Sequence, residues 1–151
     1  MLVEEECKAR DESNRLLRLK LATFPVHKTL TGFDLSVSPI SQANFDYLAS
    51  LEWLPDHRHL ALVGPPGTGK FHIAVALGRA AVDAGYRVRF FRADALVDQL
   101  YRGLADNSVG RVIDSLLCAD LVLVDLCRPR NYADMPAGLT SRPMWRGASG
   151  A

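Results

Sequence analysis

The segment Gly64-Pro65-Pro66-Gly67-Thr68-Gly69-Lys70-Phe71 restricts this chain more than any other. It fits the phosphate-binding pattern G-x-x-x-x-G-K-[ST] at every position except the last. In that pattern the glycines let the backbone turn a run of N–H groups toward anionic oxygens. The lysine reaches the β- and γ-phosphates, and the closing hydroxyl coordinates Mg²⁺. Phe71 has no oxygen to offer. The pattern also dictates local order, because such a loop follows a strand and opens a helix whose N-terminus faces the phosphates.

The flanking residues read in that order. Leu60-Ala61-Leu62-Val63 is a short apolar run, as expected of a buried parallel strand. From Phe71 to Ala84, residues Ile73, Ala76, Leu77, Ala80 and Ala81 share one helical face, and Gly85 is a natural stop. Arg87 to Phe91 reads as a second strand and Asp94 to Leu104 as a helix. Ser108 reads as the cap of another helix carrying Val109, Val112, Ile113, Leu116 and Leu117 on its inner side. Leu121-Val122-Leu123-Val124-Asp125 is a third strand. Strands alternating with helices of this length imply an α/β fold on a parallel sheet.

Upstream, residues 5–22 lack Gly and Pro and set Leu16, Leu17, Leu19 and Leu21 among basic residues, so they read as a helix ended by Pro25. Thr29 to Ser38 reads as an extended connector. Ser38-Pro39 resembles a cap followed by proline at the first helical position, opening a helix that runs to about Leu54. That helix would bury Phe45, Leu48 and Leu51 or Leu54. Cys127 to Ala151 holds three prolines, three glycines, four arginines and no apolar period, which reads as an irregular or disordered tail. The chain thus divides into a basic helical arm (1–30), a phosphate-loop core (31–126) and a tail (127–151).

Charge is uneven although the net is only +1. Residues 8–28 carry six Lys or Arg against Asp11 and Glu12, whereas residues 31–126 carry eight basic against eleven acidic side chains. The arm's Arg15, Arg18 and Lys20 are therefore candidate contacts for nucleic acid phosphates, or simply a solvated helix face. Three cysteines outside any C-x-x-C spacing suggest neither disulfides nor a zinc site, and His57 and His59 do not stand at metal-ligand spacing. No apolar run approaches the roughly 20 residues that span a bilayer, and the acidic Met1-Leu2-Val3-Glu4-Glu5-Glu6 start is unlike a signal peptide. A cytoplasmic protein without membrane contact is expected.

Asp125, at the end of four apolar residues, is the expected second acidic element, a carboxylate holding Mg²⁺ through water. The following position, where hydrolysing proteins of this class often carry a Glu base, holds Leu126. General-base catalysis typically contributes on the order of 10²–10⁴-fold, all of it in the chemical step. Phe71 removes only one Mg²⁺ ligand, which water can replace. The two departures together predict phosphate binding without appreciable turnover, and no catalytic residue is assigned.

Taken together, Arg15 to Leu126 resembles the IstB-like ATP-binding proteins, helper ATPases of insertion-sequence transposition within the AAA+ group and similar to the DnaC helicase loaders. The residues that carry the resemblance are Leu19 to Leu30, Phe33-Asp34, Leu62 to Lys70, His72 to Gly78, Ala84 to Phe90 and Asp120 to Asp125. The resemblance implies a P-loop NTPase of AAA+ type, a three-layer sandwich, with ATP and Mg²⁺ as cofactors. It further implies a homo-oligomer on double-stranded DNA that recruits or stimulates a transposase. The family pattern has Ser or Thr in place of Phe71 and Glu in place of Leu126, and it continues well past Asp125, implying a chain truncated after that residue. In the family sheet a later strand separates the loop strand from the Asp125 strand. Residues 60–63 would then either close up against residues 121–125 or lack partners, leaving an incomplete parallel sheet. Two other readings stay open, a catalytically inert module binding DNA or a partner, and a non-functional truncated product.

Overall fold

One helix supplies half of the buried apolar residues. The computed structural model describes residues 2–126, and its four largest fully buried side chains, Ile73, Val75, Leu77 and Val82, all stand on the helix Lys70–Asp83. In chain order the elements are α1 (Leu2–Ala22), a 3₁₀ turn (Leu35–Val37), α2 (Gln42–Ser50), α3 (Lys70–Asp83), β1 (Val88–Arg92), α4 (Ala93–Ala105), α5 (Val109–Leu117) and β2 (Leu121–Asp125). α3 ends as its sequence requires: Gly85 takes φ +96° and donates to the Val82 carbonyl, while the Tyr86 N–H reaches the Ala81 carbonyl. These two bonds close a left-handed helix terminus that only a glycine adopts without strain.

β1 and β2 pair in parallel, Val88 with Leu121 through Arg92 with Asp125. Alternation along β1 sends Val88 and Phe90 toward α3 and turns Arg89 and Phe91 to the other face, where α4 and α5 pack. The approach of α3 to the sheet is close because position 78 is glycine. A Cβ there would lie 2.5 Å from Leu123 Cδ1 and 2.8 Å from Phe24 Cε1. The end of α1 joins the same core through fully buried Ala22, and it caps the outer edge of β1. The Thr23 hydroxyl donates to the Phe90 carbonyl at 3.3 Å, and Arg89 Nη1 donates to the Leu21 carbonyl at 2.9 Å. Such edge capping blunts a strand that would otherwise offer free backbone groups.

The sheet is narrower than the sequence suggests. Residues 60–63 form no strand: among the described residues they have no backbone hydrogen-bond partner, Val63 is 91% exposed, and only Leu62 packs against the core. Strand structure is a property of a pair, and an apolar run beside no neighbour cannot make a ladder. The outcome is the incomplete sheet rather than a closure against β2. With α3 on one face and α4 and α5 on the other, the arrangement is an incomplete α/β P-loop fold.

Other expectations shift locally. The cap of α2 is Ser41, whose Oγ accepts from the Asn44 N–H at 3.3 Å, and not Ser38, because Ile40 is drawn against the core and holds Pro39-Ile40 out of the helix. α2 stops at Ser50, where Leu51 turns left-handed (φ +59°), and the break lets Leu51, Trp53 and Leu54 all enter the core. The 29–38 connector contains the 3₁₀ turn, capped by Asp34 accepting from the Ser36 N–H and hydroxyl at 2.9 and 2.6 Å. On α1, Leu19 packs against the core while Leu16, Leu17 and Leu21 remain exposed. The tail at 127–151 lies outside the described residues. No described helix is long and apolar enough to cross a membrane.

A polar clasp closes the foot of the sheet. Arg87 grips Asp120 in a fork, Nε to Oδ2 at 3.1 Å and Nη2 to Oδ1 at 2.9 Å, and its backbone N–H adds a third bond to Oδ2 at 2.8 Å. The Arg87 side chain, followed by its N–H, holds the Asp120 carboxyl below the usual range. A depressed carboxyl stabilises the fold above its unfolded value of about 3.9 and loses that contribution as pH falls through the folded value. Asp120→Asn is therefore expected to lower the urea midpoint at neutral pH and to leave a shallower decline below about pH 4 than the parent shows. Gly78→Val is expected to cost about 1–3 kcal/mol by overpacking against Leu123 and Phe24, read as a lower urea midpoint at unchanged slope.

Candidate phosphate-binding loop

The loop is held by the helix it opens and by a segment far upstream. Gly67 and Gly69 take φ +84° and +79°, left-handed values that a side chain would strain. Gly69 is the N-cap of α3, its carbonyl accepting from the Ile73 N–H at 2.9 Å, and no side chain caps the helix. The first N–H groups of α3 therefore face outward at the positive end of the helix dipole. At Gly67 an added Cβ would meet nothing within 4 Å, so the backbone there is open to an approaching group.

Lys70 lies back over the loop. Its ammonium donates to the Pro65 carbonyl and lies 3.3 Å from Thr68 Oγ1, which itself donates to the Pro65 carbonyl at 2.9 Å. The Lys70 ammonium over the loop and the uncapped first amides of α3 are donors of the kind that meet an anionic oxygen. The donor set fits a nucleotide's phosphates.

Beneath the loop sits an aromatic support that sequence patterning did not expose as such. A Cβ at Gly69 would come within 2.5 Å of Phe33 Cε2, so glycine is required there for packing as well as for its dihedral angle. Phe33 stacks on Phe45 at 5.7 Å between centroids and meets the His72 ring edge-on at 5.3 Å. His72 Nε2 lies 3.0 Å from the Thr29 carbonyl. Apart from Phe33–Phe45, these contacts join residues about forty positions apart, and no local period announces them.

Phe71 occupies the first turn of α3, 37% exposed, with its ring edge-on to Phe90 of β1 at 6.1 Å and 84°. The position where the motif would carry a hydroxyl is thus an apolar link between loop helix and sheet. Asp125 closes β2 opposite Arg92 and is half-buried, and Leu126 beyond it is 80% exposed. The turn from α3 into β1 is short, so the start of α3 points to the end of the sheet where both strands finish. The loop and Asp125 therefore share that end, where ligands settle in open α/β sheets.

The arm's basic residues are not gathered at the loop. Arg15 donates from Nε to Asp83 at 2.7 Å and from Nη1 to Glu12 at 3.0 Å. Asp83 ends α3, about 20 Å along the helix axis from Lys70. Arg18 lines a cleft with Arg87 and Arg89, and Lys20 is exposed.

Comparison with known proteins identifies the family. A family described as IstB-like ATP binding protein matches residues 1–132. A Pseudomonas aeruginosa protein named for ATP binding in insertion sequence IS21 is 36% identical over 126 residues, 83% of this chain and 48% of that protein. One from Mycobacterium tuberculosis, also named for ATP binding in an insertion sequence, is 32% identical over 90% of this chain and 55% of its own length. A Geobacillus stearothermophilus protein named for ATP binding in insertion sequence IS5376 is 26% identical over 82% and 50%. The chain spans about half the length of the curated relatives it matches.

Proposed function

The chain belongs to the IstB-like ATP-binding protein family, and from that premise we propose that Gly64 to Lys70 hold the phosphates of ATP while hydrolysis is slow or lost. The observation that carries this reading is the loop itself, with Gly67 and Gly69 left-handed, the α3 amides uncapped and the Lys70 ammonium folded over the loop. Lys70 already exchanges contacts with neutral oxygens, so a phosphate would replace the Pro65 carbonyl with a charged acceptor, and charge-assisted bonds are about twice as strong.

Phe71 and Leu126 act on different steps. Phe71 brings no ligand for Mg²⁺, so the ion would rest on phosphate oxygens, water and Asp125. When bound, it would neutralise charge on the phosphates. Leu126 has no proton acceptor for an attacking water, which weakens catalysis and leaves ground-state binding intact. The Phe71 ring against Phe90 supports a settled apolar position rather than a side chain that can swing clear.

Family membership also motivates roles in insertion-sequence transposition, with double-stranded DNA, a transposase and further copies of the chain as partners. Because Arg15 is shared between Glu12 and Asp83, Arg18 and Lys20 are the arm residues we assign to DNA phosphates. An inert partner-binding module is the second reading, favoured by the exposed apolar side chains Val63, Leu117 and Leu126.

Isothermal titration of the full chain with ATP is expected to give affinity that changes little when Mg²⁺ is removed. Lys70→Ala is expected to weaken binding by roughly tenfold or more, the scale of one lost charge-assisted hydrogen bond. Phe71→Thr should make the affinity depend on Mg²⁺. Absence of ATP binding by the folded parent in both buffers overturns the reading, and steady turnover abolished by Lys70→Ala overturns the claim of slow hydrolysis.

A further inference from the structure

The phosphate loop is anchored firmly on one side only. Its C-terminal end runs into α3, with Gly69 as the N-cap, and α3 is fixed in turn by the buried Ile73, Val75 and Leu77. On the N-terminal side stand residues 60–63, which join no strand and have no backbone hydrogen-bond partner among the described residues. Gly64 to Gly67 are exposed, and the bonds that shape the loop, from Thr68 and Lys70 to the Pro65 carbonyl, are internal to it. Such a backbone has few buried contacts to offset the cost of ordering it, and its glycines have the most freedom to lose.

The contact that a strand ladder does not supply comes from the connector before α2. Phe33 lies so close to Gly69 that a Cβ there would stand 2.5 Å from its Cε2 and 3.0 Å from its Cζ. The ring is held on two further sides, stacked on Phe45 of α2 with an interplanar angle of 13° and met edge-on by His72. The connector's backbone is tied down on either side of this contact. His72 Nε2 lies 3.0 Å from the Thr29 carbonyl, the Phe33 N–H donates to the Leu30 carbonyl at 3.2 Å, and Asp34 caps the 3₁₀ turn that follows. Leu30 itself packs against the core. Gly69 is where the left-handed loop becomes helix, so a ring fixed against it bears on the loop's path at that point.

We propose that Phe33 is a positioning residue for phosphate binding: through Gly69 it holds Gly64 to Lys70 in the conformation that faces the phosphates, giving the anchorage that residues 60–63 do not. The inference rests on the reading of the loop as the phosphate site. Phe33 touches no ligand in this arrangement. It raises the fraction of molecules whose loop is already arranged, and apparent affinity scales with that fraction. Affinity for phosphates is therefore a property of the connector and α2 as well as of the loop, although Phe33 stands far outside the glycine and lysine pattern.

The test compares ATP with inorganic tripolyphosphate, which carries phosphates and no base, by isothermal titration of the full chain. Phe33→Ala is expected to weaken both ligands by the same factor, roughly five- to thirtyfold, the scale of ordering one backbone residue at the moment of binding. A loss confined to ATP places Phe33 against the base and overturns the proposal. Phe45→Leu removes the stacked ring and leaves Phe33 present, so it should give a smaller loss of the same pattern, and it serves where Phe33→Ala does not fold. Gly69→Ala should weaken binding in the parent and cost less in the Phe33→Ala background, because the ring that its Cβ would strike is gone. Strictly additive losses overturn the link through Gly69. Each variant is confirmed as folded by urea unfolding. A parent that binds neither ligand overturns the phosphate reading itself and this proposal with it, whereas binding by the parent that is unchanged in folded Phe33→Ala and Phe45→Leu overturns the positioning role alone.

Discussion

Burial of α3 on opposite sides, between the two-stranded sheet and the helices α1 and α2, is the contact on which everything else rests. Ile73, Val75, Leu77 and Val82 are removed from water together, and each such side chain stabilises the fold by roughly 1.5–3 kcal/mol before the costs of ordering are counted. Gly78 lets the helix come close enough for Leu123 and Phe24 to close over it. Because α3 begins at Lys70, fixing this helix also fixes where its uncapped N-terminus points, so packing and site geometry share one origin.

The same contact explains what is left unfinished. α4 and α5 are strongly amphipathic, yet among their described residues only Gly103 is buried, because a sheet of two strands is too narrow to cover both helices. Ile113, Leu117 and Val124 remain exposed, and so does Val63 beside the unpaired residues 60–63. The loop's own support is the aromatic group of Phe33, Phe45 and His72.

The chemistry of the loop end divides along the line between binding and catalysis. Backbone N–H groups and the Lys70 ammonium serve any phosphate and need no special neighbour. Metal coordination and base catalysis need particular atoms at particular points, and Phe71 and Leu126 supply none. A site can therefore keep its affinity while losing its turnover, since ground-state contacts and transition-state contacts are carried by different residues.

The helices and the β1–β2 strands were legible in the chain, because helical period, the Gly85 stop and apolar runs are local signals. So was the loop, since its glycines and lysine act through their own backbone and side chain. The strand expected at residues 60–63, the start of α2 at Ser38 and its end near Leu54 were misplaced. Each depended on something non-local: a missing ladder partner, the pull of Ile40 into the core, and the left-handed turn at Leu51 that buries Trp53. Arg15 read as a free basic residue, and only the meeting of α1 with the end of α3 gave it to Asp83. The sequence by itself determined the glycine-lysine pattern of the loop and the order of the elements that formed, because those are written in neighbouring residues. Only the tertiary structure decided which apolar run found a sheet, which arginines were already paired and which gathered in one cleft. Those outcomes turn on contacts between residues distant in the chain, which no local pattern encodes.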